Sequence, residues 1–246
     1  MGLFDKPAIS DKIIGISVAG VGSSAIGAVA LARDVAATTN GSVAAVVSGY
    51  GVDDVMNEAL GGWCFLRETN RLEFDIEQVN NALAKVSNLP AIVTSVRAMD
   101  SIGSGPDLVT LKSMIRASDP QPEDRPDPPK HLKNLKWLVG HSKGNLLISS
   151  AISELVMENS EFGPELGNVN IVFFSALSAL PGNIGHQRQI IGDMDVLGWT
   201  NSRINIAHTL VHGAMHHTNR SIPFHMDVPA QLTQIQQAAL PSADTR

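Results

Sequence analysis

The chain has 246 residues, 43% hydrophobic and 17% charged, which supplies a core and excludes a wholly disordered or fibrous chain. Its net charge is −6 and its Lys and Arg are dispersed, which argues against a nucleic-acid partner, because neutralising phosphates takes clustered basic side chains. Cys64 is the single cysteine, so an internal disulfide framework and a cysteine-based zinc site are both ruled out.

Residues 13–32 carry no charge until Arg33. A membrane span and a secretory signal both compete for such a run. Gly15, Gly20, Gly22, Ser23, Ser24 and Gly27 make it weakly apolar, and Asp5 and Asp11 offset the basic residues ahead of it. The preferred reading is a buried strand at 13–19, a Gly/Ser turn, and a small-residue helix to about Thr38. A second strand is expected at 42–48. Short helices follow at 52–60 and 77–86, a strand at 91–96, and a helix at 108–115. Residues 118–129 hold five prolines and four acids, which cannot build a core and predict a surface excursion. A short strand is expected at 137–139 and an amphipathic helix at 144–158, where Leu147, Ala151 and Leu155 repeat every fourth residue. Strands at 169–177, 189–191 and 205–211 and a helix at 230–239 complete the pattern, with a tail at 240–246. Strands alternating with helices predict one α/β domain over 1–246, a mostly parallel sheet with helices on both faces. The connection from Leu177 to Arg188 leaves no room for a large cap domain.

The most informative stretch is Gly140-His141-Ser142-Lys143-Gly144. G-x-S-x-G alone is a weak signal. Here it follows an apolar strand and opens an amphipathic helix, the setting that a nucleophile elbow requires. The flanking glycines let backbone approach a serine held on a strained turn. The helix N-terminus then aims N–H groups at a developing oxyanion, with the N–H of Lys143 as one donor. The bland alternative is a serine that simply caps the helix.

A serine nucleophile needs an imidazole to take its proton and a carboxylate to orient that imidazole. Asp193 and Asp195 follow the strand at 189–191, and His216 and His217 follow the strand at 205–211. Both pairs lie beyond strand C-terminal ends, where open α/β sheets place their sites. His225 is a weaker rival for the base. His208, His212 and His216 would face one way on a helix and could hold zinc, but alternation of apolar residues there favours a strand.

With these residues in view, the chain resembles the α/β-hydrolase superfamily, in particular its lipase- and esterase-like serine hydrolases. GHSKG matches the elbow, GDMD resembles the segment carrying the acid, and VHGAMH resembles the segment before the histidine. The resemblance spans roughly residues 43–220 and implies Ser142, Asp195 and His216 as the triad, with Asp193 and His217 as rivals. It also implies that Val46-Val47-Ser48-Gly49-Tyr50-Gly51 carries the second oxyanion donor at Tyr50. The family usually has His-Gly where this chain has Ser48-Gly49, and the turn at 20–23 is the alternative source of that donor.

The expected activity is cleavage of a neutral or hydrophobic carboxylic ester without a cofactor, in a cytoplasmic protein. An exported or membrane-associated protein stays open through residues 13–32, and a lipid surface stays open as a partner. Three other readings remain. The same serine machinery can serve an acyltransferase or a thioesterase. Gly20-Val21-Gly22-Ser23-Ser24-Ala25 resembles a dinucleotide fingerprint, centred on Gly20 and Gly22, although no acid ends the following strand. A hydrolase-like scaffold without catalysis is the third.

Overall fold

In a computed structural model, the structure describes residues 13–20, 23–48, 106–116, 134–159, 162–181, 184–203 and 205–239. The elements expected at 52–60, 77–86 and 91–96, the excursion at 118–130 and the tail lie outside these residues, as do Tyr50, Gly22 and Cys64.

The described elements are β1 (Ile13–Val18), α1 (Ala25–Thr39), β2 (Ser42–Val46), α2 (Pro106–Ile115), β3 (Trp137–His141), α3 (Lys143–Glu158), α4 (Phe162–Glu165), β4 (Asn170–Phe174), β5 (His186–Gly192), α5 (Val196–Asn201), β6 (Thr209–Val211) and α6 (Val228–Ala239). The six strands form one sheet in the order β2-β1-β3-β4-β5-β6. Every adjacent pair is parallel. All C-terminal strand ends therefore share one edge.

Side-chain alternation explains why the sheet is buried on both faces. Leu138, Ile171 and Phe173 face a core with Leu111 of α2 and Ile148 and Ile152 of α3. Their neighbours Val139, Val172 and Phe174 face the opposite core, with Leu31 and Val35 of α1 and Leu232 of α6. With both faces covered, the central strands β3 and β4 read as near-continuous apolar runs. Lys112 of α2 reaches Glu154 and Glu158 of α3, and Arg116 also reaches Glu158, which fastens the two helices on one face.

The charge-free N-terminal run folds as β1 and α1. Ser24 caps α1 by accepting the Gly27 N–H at 3.1 Å, and Asn40 ends it in the left-handed region at φ 53°. Among the described residues, no helix is long and apolar enough to cross a membrane.

Three strands depart from their expected bounds by three residues or more at one end. β4 stops at Phe174 rather than 177 because Ser175 turns to φ 59°. β5 begins at His186, three residues early, its polar start being half exposed at the sheet's N-terminal edge. β6 pairs only over Thr209–Val211, so the apolar alternation from 205 onward is not matched by a ladder. The short helices α4 and α5 lack the length to show a period in sequence.

Candidate active site

The strand order reverses direction between β1 and β3: the chain goes from β1 outward to β2, then returns past β1 to β3. In open α/β sheets such a point, at the C-terminal edge of the strands, is the usual ligand position. Ser142 follows β3 at this point, and Gly20 follows β1.

Ser142 turns the chain from β3 into α3 at φ 54°, ψ −122°, a conformation unfavourable for a residue with a side chain. Close packing enforces it. A Cβ at Gly144 would fall on the carbonyl of Val18, and one at Gly140 would meet the backbone of Asn145. The Ser142 N–H donates to the Phe174 carbonyl at 2.9 Å, which extends the β3–β4 ladder into the turn. Asn145 then donates through Nδ2 to the carbonyls of Phe174 at 2.9 Å and Ala176 at 2.7 Å, clamping α3 to the end of β4. Ser142 stands at the N-cap of α3 yet makes no capping bond with its side chain. Its hydroxyl is directed elsewhere.

That partner is His216. Nε2 of His216 lies 2.9 Å from Ser142 Oγ, and Nδ1 lies 2.7 Å from Asp195 Oδ1. A carboxylate only accepts, so Nδ1 carries the proton and Nε2 is left to accept the serine O–H. Asp195 caps α5, where Oδ1 also accepts the Gly198 N–H at 2.7 Å. The carboxyl group is fully buried, and Oδ2 has no hydrogen-bond partner. A carboxylate so removed from water interacts strongly with a charge that develops on the neighbouring ring.

The rivals occupy other roles. Asp193 accepts the Gly213 N–H at 2.7 Å through Oδ1 and contacts His212 Nδ1 at 3.0 Å through Oδ2. The bond to His212 and that from Gly213 hold its carboxyl below the usual carboxylate range. It braces the β5 loop against the loop after β6. His217 points its Nδ1 into a buried position without a partner, and its carbonyl accepts the Met226 N–H at 2.8 Å. His225 bonds the nearby Ile222 carbonyl. His208 packs edge-on against Trp199. Among the described residues no three His, Cys, Asp or Glu side chains gather as a metal site.

Lys143 is the first residue of α3, so its N–H belongs to the helix end beside Ser142. Tyr50 lies beyond the described residues, and β2, the strand before it, is separated from β3 by β1. Gly20, just after the intervening strand, is packed against the serine: a Cβ there would stand 2.9 Å from Ser142 Cβ. One residue that sequence reasoning passed over is His141. Its Nε2 lies 2.7 Å from the His216 carbonyl oxygen. Adjacency to the nucleophile was the only signal in the sequence.

Comparison of the chain with protein-family models, with curated proteins and with solved structures finds no match.

Proposed function

We propose that this chain is a serine hydrolase of the α/β-hydrolase kind, acting on a neutral or hydrophobic carboxylic ester through an acyl-enzyme. The observation that carries the reading is the double hydrogen bond of His216, to Ser142 on one side and Asp195 on the other. The three side chains come from loops after β3, β5 and β6 and meet at one sheet edge. A helix-capping serine would not be arranged so, because its hydroxyl would serve the helix.

The chemistry follows from the atoms. Ser142 Oγ attacks the ester carbonyl while His216 Nε2 takes its proton, and the carbonyl oxygen becomes an oxyanion. Asp195 steadies the imidazolium through Nδ1. The imidazolium then protonates the departing alkoxide, leaving an acyl-serine and a free alcohol. Water repeats the sequence: His216 takes its proton, the acyl carbon leaves Ser142, and a carboxylic acid is released. The N–H of Lys143, at the positive end of the α3 dipole, supplies one oxyanion donor, and the backbone at Gly20, beside the serine, is the proposed source of the second.

Exposed apolar side chains support an apolar substrate. Met194, Val196 and Leu197 flank Asp195, Met215 precedes His216, and Ile222 and Phe224 lie on the return from it. A fluorophosphonate probe with peptide mapping, alongside p-nitrophenyl esters of increasing chain length, tests the proposal. It requires an adduct on Ser142 and turnover that vanishes in Ser142→Ala. Absence of both the adduct and ester turnover in the wild-type protein would refute it.

A further inference from the structure

We propose that His141 is a positioning residue: its Nε2–H holds the backbone of His216 and thereby sets the aim of that ring between Asp195 and Ser142. The inference deepens the serine-hydrolase reading and rests on it.

His216 stands on a segment with little regular structure. β6 ends at Val211, and residues 212–227 belong to no strand or helix. The neighbours of His216 are tied down, since the Met215 N–H donates to the Phe224 carbonyl at 2.7 Å and the His217 carbonyl accepts the Met226 N–H at 2.8 Å. Those bonds fix the segment to its own return, at 224–226, and the Met194 N–H ties Ala214 to the β5 loop at 3.2 Å, but none of them reaches β3. The carbonyl of His216 itself is bound by His141, 2.7 Å away. His141 is the last residue of β3, adjacent to the nucleophile. The bond therefore joins the loop bearing the base to the rigid strand bearing the serine, across 75 positions of chain.

The bond also dictates which form of His141 is present. A carbonyl only accepts, so Nε2 must carry the proton. The other edge of the ring faces the turn after β1: a Cβ at Gly20 would lie 3.1 Å from Nδ1. One ring thus spans the gap between the Gly20 turn and the His216 loop. The two imidazoles lie 5.1 Å apart at a tilt of 54°. At that separation a charged His141 would oppose the imidazolium that catalysis requires on His216. Burial first, and the proximity of His216 second, lower the pKa of His141 to about 4, outweighing the opposite pull of the His216 carbonyl and Asp195. The ring stays neutral at physiological pH and acts as a donor without adding a charge.

The test uses the intact protein, with His141→Leu to remove the donor and His141→Gln to keep an N–H near the same place. In the wild type at neutral pH, imidazole 15N shifts should report a neutral His141 with its proton on Nε2. The downfield proton of the His216–Asp195 bond, read without substrate, should persist in wild type and His141→Gln and broaden by solvent exchange in His141→Leu. In ester turnover, His141→Leu should lose kcat by about 10–100-fold, with KM nearly unchanged, the scale on which small misplacement of a reacting group acts, and His141→Gln should recover most of it. A wild-type His141 that is protonated at neutral pH, or protonated on Nδ1, would overturn the proposal even if neither variant folds. So would a His141→Leu protein with unaltered kcat and an unaltered downfield proton, or an equal kcat loss in both variants with that proton intact. Failure of the hydrolase reading is distinct: Ser142 of the wild type would then refuse the fluorophosphonate, while the tautomer and the downfield proton still report on the hydrogen bonds.

Discussion

Gly20 packs directly against Ser142: a Cβ on residue 20 would stand 2.9 Å from the serine Cβ and 3.1 Å from the carbonyl oxygen of His141. The backbone leaving β1 is therefore packed against the nucleophile. Gly20→Ala should push that backbone away from the serine and displace any donor it offers. We expect kcat to fall on the order of 100-fold, the effect of losing an oxyanion donor, with a much smaller change in KM. Steady-state kinetics with a p-nitrophenyl ester, paired with a thermal melt, separates this from general destabilisation.

The two acids of the β5 loop should respond differently. Asp195→Asn presents an amide to His216 Nδ1 and favours the wrong tautomer, so kcat should fall about 10⁴-fold. Asp193→Asn retains an acceptor for the Gly213 N–H and touches neither Ser142 nor His216, so kcat should stay within a few-fold of wild type. Equal losses in the two variants would contradict the assignment. Parallel kinetics on the purified proteins decide it.

Strain at Ser142 gives a stability prediction. Its φ of 54° and ψ of −122° suit glycine better than any residue with a side chain. Ser142→Gly should abolish turnover and yet be more stable than Ser142→Ala by about 1–2 kcal/mol, because only glycine relieves the backbone. Urea unfolding of the two inactive variants measures the difference.

His141 makes stability depend on pH. In the unfolded chain its imidazole takes up a proton near pH 6.5, whereas in the folded protein it does so only near 4. Between those values the unfolded state binds the extra proton, so stability falls as pH drops through this window. Above pH 6.5 the group is neutral in both states and costs nothing. The loss should reach roughly 3 kcal/mol near pH 4, at about 1.4 kcal/mol for each pKa unit. His141→Gln removes the titrating group, so its urea-unfolding free energy should decline less than that of the wild type from pH 7 to pH 5. Identical declines would contradict a neutral, desolvated His141.

Much of this arrangement was legible in the sequence, and the reasons are local. The strand–GHSKG–helix order marked Ser142 because a buried apolar run, two glycines and a four-residue apolar repeat each leave a pattern. β1, α1 and β2 were readable from their small and β-branched residues. The choice between Asp193 and Asp195, or between His216 and His217, rested on the resemblance of GDMD and VHGAMH alone and not on local pattern. Such neighbours differ only in the direction their side chains take from an irregular turn, and that direction depends on bonds made elsewhere: Gly198 to Asp195, Gly213 to Asp193, Met226 to His217. The role of His141 was hidden for the same reason, since its partner is a backbone carbonyl that leaves no trace in residue type. Residues 205–208 show the reverse error. They alternate like a strand, but the ladder with β5 begins only at Thr209.

The central claim is that the Ser142 hydroxyl is activated by His216. Fluorophosphonate labelling, followed over time and mapped by mass spectrometry, tests it most directly. The account predicts rapid modification of Ser142 in the wild type and in His217→Gln, and labelling slowed by orders of magnitude in His216→Ala. Wild-type labelling that is absent, that falls on another residue, or that proceeds equally fast in His216→Ala would contradict it.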